Sequence, residues 1–180
     1  MTNSELLDAQ WDIDFGTAKS MRYHAYRRSF WEMLDNWTKC LVVFSGTAVL
    51  VSIIGEKSLA ATVFAFVVAF LSAIDVVLGF STRARTHDTL YRQFCRLQAE
   101  ISSVIAPTED PLVPWRRRRL EIELEEPTTL DWLERRSAFE ESKARGVEPR
   151  ASWVLKWWQT LFSQLAMWPQ ITFAKPPQKR

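Results

Sequence analysis

Asp75 is the one acidic residue in the apolar stretch SAIDVVLGF, residues 72–80. A carboxylate in apolar surroundings is costly, so it usually carries ions or protons along a path or pairs with a cation. The candidate cation is Lys39, which directly precedes the apolar run CLVVFSGTAVLVSIIG. The sequence therefore predicts that Asp75 and Lys39 either form a charge pair or lie at the mouth of a pore.

His24, His87 and Asp88 are the other residues whose chemistry could be used together, because imidazole and carboxylate groups bind zinc. Their spacing matches no metal motif, and the chain has no glycine-rich phosphate loop and no recognisable Ser/His/Asp pattern. The sequence therefore predicts no catalytic, cofactor-binding or metal-binding residue. We expect a protein that is not an enzyme.

Charge and cysteine content narrow the class of protein further. The net charge of +2 is too small to indicate a nucleic-acid partner. Cys40 and Cys95 lack metal-ligand spacing, which is typical of reduced thiols in a protein that faces the cytoplasm. No cleavable signal peptide is visible near the N-terminus.

Lys39 and Asp75 lie at the outer ends of two apolar runs, so the structure of these runs determines where the two residues are placed. Residues 40–55 and residues 58–74 contain no charged side chain, and only Glu56 and Lys57 separate them. A membrane-spanning helix needs about 20 apolar residues, a length that both runs reach when their flanking residues are added. The runs therefore predict a transmembrane hairpin, and two buried helices of a soluble bundle are the alternative.

Flanking cations predict the orientation of this hairpin, because Lys and Arg accumulate on the cytoplasmic side. Both outer ends carry several cations, whereas the connecting turn carries only Lys57 beside Glu56. Both termini are therefore expected in the cytoplasm. In an antiparallel hairpin with this turn, facing residues have numbers that sum to about 113, which brings Lys39 next to Asp75 and His87 within about a turn of His24. The outer cations are Arg27, Arg28, Lys39, Arg83, Arg85 and Arg92.

Stripes of large apolar residues continue from both runs at helical spacing. They predict two long cytoplasmic helices that pack against each other, the first beginning at Gly16 with Thr17 as its cap, after a short separate helix, SELLDAQWD. The predicted packing residues are Tyr23, Tyr26, Phe30, Leu90, Phe94, Leu97 and Ile101.

The C-terminal third is predicted to be helical as well. Prolines in APTEDPLVP end the preceding helix, and WRRRRLEIELEEP follows as a self-neutralised helix with Arg117–Glu121 and Arg119–Glu123 pairs, or as a short strand. A helix with a Thr cap ends at Gly146. A Trp-rich amphipathic helix is then expected to contact the membrane interface or another subunit. Its contact residues are Trp153, Trp157, Trp158, Leu161 and Trp168.

The predicted fold is therefore all-α, with a two-helix transmembrane hairpin extended by long cytoplasmic helices and a helical C-terminal region. The expected divisions are N-terminal cytoplasmic helices over 1–37, the hairpin over 38–80, a cytoplasmic amphipathic helix over 81–106, a linker over 107–114 and the C-terminal region over 115–180.

The order of these segments resembles the SLATT family of two-transmembrane proteins from bacterial conflict systems. The resemblance rests on RYHAYRR, the hairpin, GFSTRARTHDTLYRQFCRLQAEI and IELEEPTTLDWLERRSAFEESKARG, and it covers about residues 15–146. It implies a bacterial inner-membrane effector that forms a homo-oligomer and breaches the bilayer when a cytoplasmic sensor protein detects infection or a nucleotide signal. This chain carries no recognisable sensor domain.

Two functions follow as hypotheses. One is a pore-forming or membrane-disrupting effector in antiviral defence or cell death. The other is a non-conducting membrane scaffold that recruits a cytoplasmic or phage partner through the Trp-rich helix. Both predict the lipid bilayer as a partner, and neither requires a cofactor.

Overall fold

The computed structural model describes residues 2–54, 58–104 and 109–164. These residues form six α-helices and one short 3-10 turn, with no β-strand in any of the three described ranges. The helices are α1 (Asn3–Ile54), α2 (Ser58–Leu78), α3 (Phe80–Ser102), α4 (Glu109–Leu124), α5 (Asp131–Ala144) and α6 (Trp157–Phe162), and the 3-10 turn is Ala151–Trp153. The predicted all-α class is confirmed.

Helix α1 is continuous over 52 residues, about 78 Å at 1.5 Å per residue. The predicted helix start at Gly16 is wrong, as is the separate first helix. The helix begins instead at a capping box, in which Thr2 N–H donates to the Glu5 carboxylate and Glu5 N–H donates to Thr2 Oγ1. A glycine inside a helix costs only about 1 kcal/mol, which the buried packing of Ile13 and Thr17 around it outweighs.

One helix of the described residues is long and apolar enough to cross a membrane. It begins at Leu59, contains a segment with a mean hydropathy of 2.5, and buries only 6% of that segment. The end of α1 also exposes large apolar side chains, including Phe44, but the turn at 55–57 lies outside the described residues. The two-helix transmembrane hairpin therefore stays a prediction.

Gly79 separates α2 from α3, although the second long helix was predicted to run without a break. Its φ of 58° lies in the left-handed region that favours glycine. Backbone hydrogen bonds continue on both sides, from Gly79 N–H to Asp75 O and from Arg83 N–H to Gly79 O. The Arg83 Nε donates to Leu78 O at 2.9 Å, which satisfies a carbonyl freed by the break.

The antiparallel register predicted for α1 and α3 is present. His24 contacts His87, Trp31 stacks on Phe80, and the Gln98 amide donates to the Asp14 carboxylate. These pairs have numbers that sum to about 111, close to the predicted value of about 113. Among the predicted packing residues, Tyr26 and Phe30 are half-buried, and the fully buried ones are Tyr23, Leu90, Phe94, Leu97 and Ile101.

Helix α4 occupies most of the predicted linker, so the prediction of a linker over 107–114 is wrong for residues 109–114. Pro114 lies inside this helix and removes one backbone donor near its start. Burial of Leu112, Trp115 and Ile122 against α3 compensates for that loss. The strand alternative is wrong, and the predicted Arg117–Glu121 and Arg119–Glu123 pairs form at 2.9 and 2.7 Å.

The Trp-rich segment is not one amphipathic helix. Residues 154–156 are non-helical and separate the 3-10 turn from α6. Trp153 stacks on Phe15 of α1, whereas Trp158 contacts the edge of Trp132 on α5. These two anchors lie on different elements, and aromatic residues have little intrinsic helix propensity to oppose the break. Trp168 lies outside the described residues.

We predict that replacing Phe94 with alanine lowers the free energy of unfolding by about 3–5 kcal/mol, because a fully buried ring is replaced by a cavity. Phe94 is 0% exposed and stacks on His24. Thermal unfolding in a mild detergent, followed by circular dichroism, measures the change. The exposed Leu124→Ala is the control, expected within about 0.5 kcal/mol of the wild type. If the two substitutions lowered the free energy of unfolding equally, the buried position of Phe94 would be contradicted.

Candidate functional site

Lys39 does not bind Asp75. Its ammonium contacts the Asp35 carboxylate on the same helix at 2.6 Å, and no ion pair between Lys39 and Asp75 forms within the described ranges. A partner four residues earlier on one helix is always within reach, whereas a partner across the hairpin depends on how two helices meet. The predicted charge pair is therefore wrong, and Asp75 stays half-buried on α2.

His24 and His87 form the most deeply buried titratable cluster of the described chain. Their Nδ1 atoms are 3.0 Å apart, and the two residues are 1% and 4% exposed. The Nε2 atom of His24 lies 3.0 Å from Oε1 of Glu126, in the segment between α4 and α5. Three separate segments of the chain thus meet in one line of hydrogen bonds.

Aromatic rings enclose this line. Phe94 stacks on the His24 ring, with centroids 5.6 Å apart, and Tyr23 contacts both imidazoles edge-on. The Tyr23 hydroxyl accepts a hydrogen bond from the Leu130 N–H at 3.0 Å, just before α5 begins. Leu130, rather than the predicted threonine, therefore occupies the N-cap of that helix. The cluster binds the C-terminal helices to the α1–α3 pair.

The hydrogen-bond geometry limits where protons lie. A carboxylate only accepts, so His24 Nε2–H donates to Glu126. With both rings neutral, His24 Nδ1 is then the acceptor and His87 Nδ1–H is the donor. The hydrogen bonds therefore run in one direction, from His87 through His24 to Glu126.

Burial lowers the pKa of His87 to about 3, and electrostatic interactions with His24, Arg27 and Arg83 act in the same direction. His87 is therefore neutral at physiological pH. Protonation of the buried His87 is costly, so acid is expected to weaken the contact between α1 and α3 at this residue.

The predicted neighbour of the histidines, Asp88, belongs to a different set of contacts. It binds Arg28 at 2.8 Å and Arg92 at 2.9 Å. Glu126 contacts the nitrogen of His24 that points away from His87. In the residues that the structure describes, no group of three potential ligands could hold a metal ion.

A second set of contacts, which the sequence did not indicate, binds α5 to α1. The buried Glu141 carboxylate accepts hydrogen bonds from Arg22 and Arg145 at 2.5 and 2.6 Å. Burial raises the pKa of Glu141, but the hydrogen bonds from these two arginines outweigh that effect and bring the pKa below its usual value. Arg145 also binds Asp14 at 2.5 Å, and Lys19 binds Glu134 at 2.7 Å.

The predicted contact residues of the Trp-rich segment divide into two groups. Trp153 is half-buried against Phe15. Trp157, Trp158 and Leu161 on α6 are exposed, Trp157 to 79%. Of the contact residues that the structure describes, the second group is the more available to a membrane surface or to another protein.

We predict that the unfolding free energy falls as the pH is lowered from about 6.5 toward about 3. The unfolded chain protonates His87 near its usual pKa of 6.5, whereas the folded chain does so only near about 3, so the unfolded state binds more protons in this window. Each such proton contributes a slope of up to about 1.4 kcal/mol per pH unit. Above pH 6.5 both states are neutral at this position and the effect vanishes.

The measurement is thermal unfolding of the full chain in detergent at several pH values. His87→Phe keeps an aromatic ring but cannot titrate, so its stability should depend less on pH across the same window. If the variant and the wild type lose stability in parallel, His87 is not the source of the acid sensitivity.

No protein-family model matches the chain, and comparison with curated proteins and with solved structures finds no significant similarity.

Proposed function

We propose that this chain is an inner-membrane effector whose hairpin, residues 38–80, inserts in the bilayer and whose remaining parts lie in the cytoplasm. In this proposal several copies assemble and open a pore or disrupt the membrane, as an antiviral or cell-death response. The observation that carries the proposal is the exposed apolar surface of α2, since 6% of its most apolar segment is buried.

The length of α2 supports insertion. Its 21 residues extend about 31 Å, close to the hydrocarbon thickness of about 30 Å. Soluble monomers rarely expose contiguous apolar patches of more than a few hundred Å². The exposed apolar side chains on the two hairpin helices include Val43, Phe44, Leu59, Phe66, Val76 and Val77.

The charge on α2 supports assembly. Asp75 is the only charged residue of this helix. Facing lipid is unfavourable for this carboxylate, although Asp75 lies in the last turn of α2, where the cost is below the roughly 3 kcal/mol that insertion scales give at the bilayer centre. A single pair of helices cannot enclose water, so a path that solvates Asp75 requires helices from other copies. Asp75 is then the pore-mouth residue, without Lys39 as its partner.

The cytoplasmic helices supply a place for control. The Glu141 contacts join α5 to α1, and Glu126, in the segment before α5, contacts His24 on the same helix. Helix α1 continues without a break toward the predicted membrane region. A cytoplasmic sensor protein that moves α5 would therefore act directly on the first spanning helix. The proposal needs no nucleic-acid partner.

A scaffold is the second candidate, favoured by the exposed apolar face of α6. Trp157, Leu161 and Phe162 are exposed on this short helix. Exposed clusters that contain Trp are typical of protein interfaces. In this alternative the hairpin anchors the chain, and α6 recruits a cytoplasmic or phage protein without any conduction.

Leakage of a fluorescent dye from liposomes that contain the purified protein separates the two candidates. The effector releases dye, and Asp75→Asn alters the rate of cation leakage at unchanged oligomer size, because a charge is lost from the path. We expect a reduction of about tenfold, equivalent to about 1.4 kcal/mol. The matched control is Asp8→Asn, an exposed acid near the start of α1, which should leave leakage unchanged.

Absence of leakage from every oligomeric form would rule out the effector and leave the scaffold. Extraction of the protein from membranes by alkaline carbonate would rule out both, because each requires an inserted hairpin.

A further inference from the structure

Two arginines approach the same indole ring at the cytoplasmic end of the hairpin. The Cζ atoms of Arg27 and Arg83 lie 4.8 and 5.0 Å from the centroid of the Trp31 ring. The guanidinium of Arg27 donates to the backbone oxygen of Gln164 at 3.0 Å, and that of Arg83 donates to Leu78 O at 2.9 Å. Neither forms an ion pair with a carboxylate in the described parts of the chain.

Carboxylates do pair with arginines close by. Arg28, the next residue after Arg27, and Arg92, nine residues after Arg83, share Asp88. Arg27 and Arg83 therefore lie together as two like charges without a carboxylate partner in the described ranges. Burial lowers the pKa of Arg27, and the nearby charge of Arg83 lowers it further. An anion between the two guanidinium groups would remove this repulsion.

Trp31 adds a donor that has no acceptor in the described part of the chain, whereas each of the two arginines donates to a backbone oxygen. The residue is 9% exposed, and its buried Nε1 atom has no hydrogen-bond partner among the described residues. Native proteins leave few buried donors unpaired, because each costs free energy. Two guanidinium groups and one indole N–H, which only donate hydrogen bonds, thus lie together, and no carboxylate of the described residues accepts from them.

The position of the cluster fits the headgroup layer. Apolar side chains are exposed along α2 as far as Leu78, and Arg83 follows five residues later, about 7 Å further along the helix axis. The headgroup region on each side of a bilayer is about 5–8 Å thick. A hydrocarbon boundary near Leu78 therefore brings Arg27 and Arg83 to the level of lipid phosphates.

We infer that Arg27, Arg83 and Trp31 form a binding site for a phosphate group, that of an anionic phospholipid in the cytoplasmic leaflet. Guanidinium groups match the geometry of phosphate oxygens and can bind them in pairs. The exposed side chains of Val76 and Val77 offer an apolar surface on the membrane side for the acyl chains. The inference rests on the proposed insertion of the hairpin.

The test counts lipids bound to the full chain in neutral detergent by native mass spectrometry, with phosphatidylglycerol and phosphatidylcholine added in turn. Phosphatidylglycerol should bind more tightly to the wild type. Arg27→Gln and Arg83→Gln should each weaken that binding about fivefold, the effect of losing one cation near an anionic surface. Arg85→Gln is the matched control, because Arg85 is exposed two residues further along α3 and makes no contact with Trp31 among those described. It should change binding less than twofold.

Competition identifies the source of the phosphate group. Inorganic phosphate that displaces phosphatidylglycerol would support a phosphate site open to soluble ligands, whereas retention of the lipid would support the headgroup. Equal binding of the two lipids, or equal losses in all three variants, would overturn the inference.

Carbonate extraction of the same membranes distinguishes this failure from failure of the proposed function. A chain that stays inserted but shows no preference for phosphatidylglycerol overturns this site alone. A chain released by carbonate overturns the inserted hairpin.

Discussion

The N-terminal half of α1 packs antiparallel against α3, and the polar contacts between these two helices depend on this register. Leu90, Phe94 and Leu97 are buried along that contact. A slip of one residue on either helix would rotate its side chains by about 100° and expose part of the stripe, so burial fixes the alignment strongly. The same alignment brings His24 to His87 and Arg27 to Arg83. The buried stripe thus determines which polar groups meet.

The sequence was sufficient to predict this helix pair, because both signals involved are strong. Large apolar residues recur at helical spacing, and the two charge-free runs indicate where the chain turns. Together they predict the facing residues to within about two positions, including the closeness of the two histidines. Glu126 could not be predicted as their third member, because it lies in a non-helical segment whose path depends on how α4 and α5 pack.

Other features depend on competition between interactions of similar strength. Lys39 has an acid four residues away and another across the hairpin, and sequence alone does not rank them. Gly16 and Pro114 are residue types that usually end helices, at a cost of about 1 kcal/mol for glycine and about 3 kcal/mol or more for proline inside a helix. Here the burial of neighbouring side chains stabilises each helix by more than that cost. The contact of Glu141 with Arg22 joins residues more than 100 positions apart, which the sequence does not indicate. The contact of Glu141 with Arg145 lies in a segment with many charged residues, where several pairings are equally compatible with the sequence.

The two long paths toward the predicted membrane region differ in continuity. Helix α1 runs unbroken from the C-terminal contacts into the first apolar run, whereas Gly79 interrupts the return path between α2 and α3. In the proposed function, a displacement of α5 would act through Glu141 on the unbroken helix α1, and a change of direction between α2 and α3 would occur at the left-handed Gly79. Arg83 caps Leu78 at that same junction, so a phosphate drawn to Arg83 would act on the hinge itself. Control by a protein partner and control by the lipid surface would therefore converge on the angle between the two halves of the hairpin.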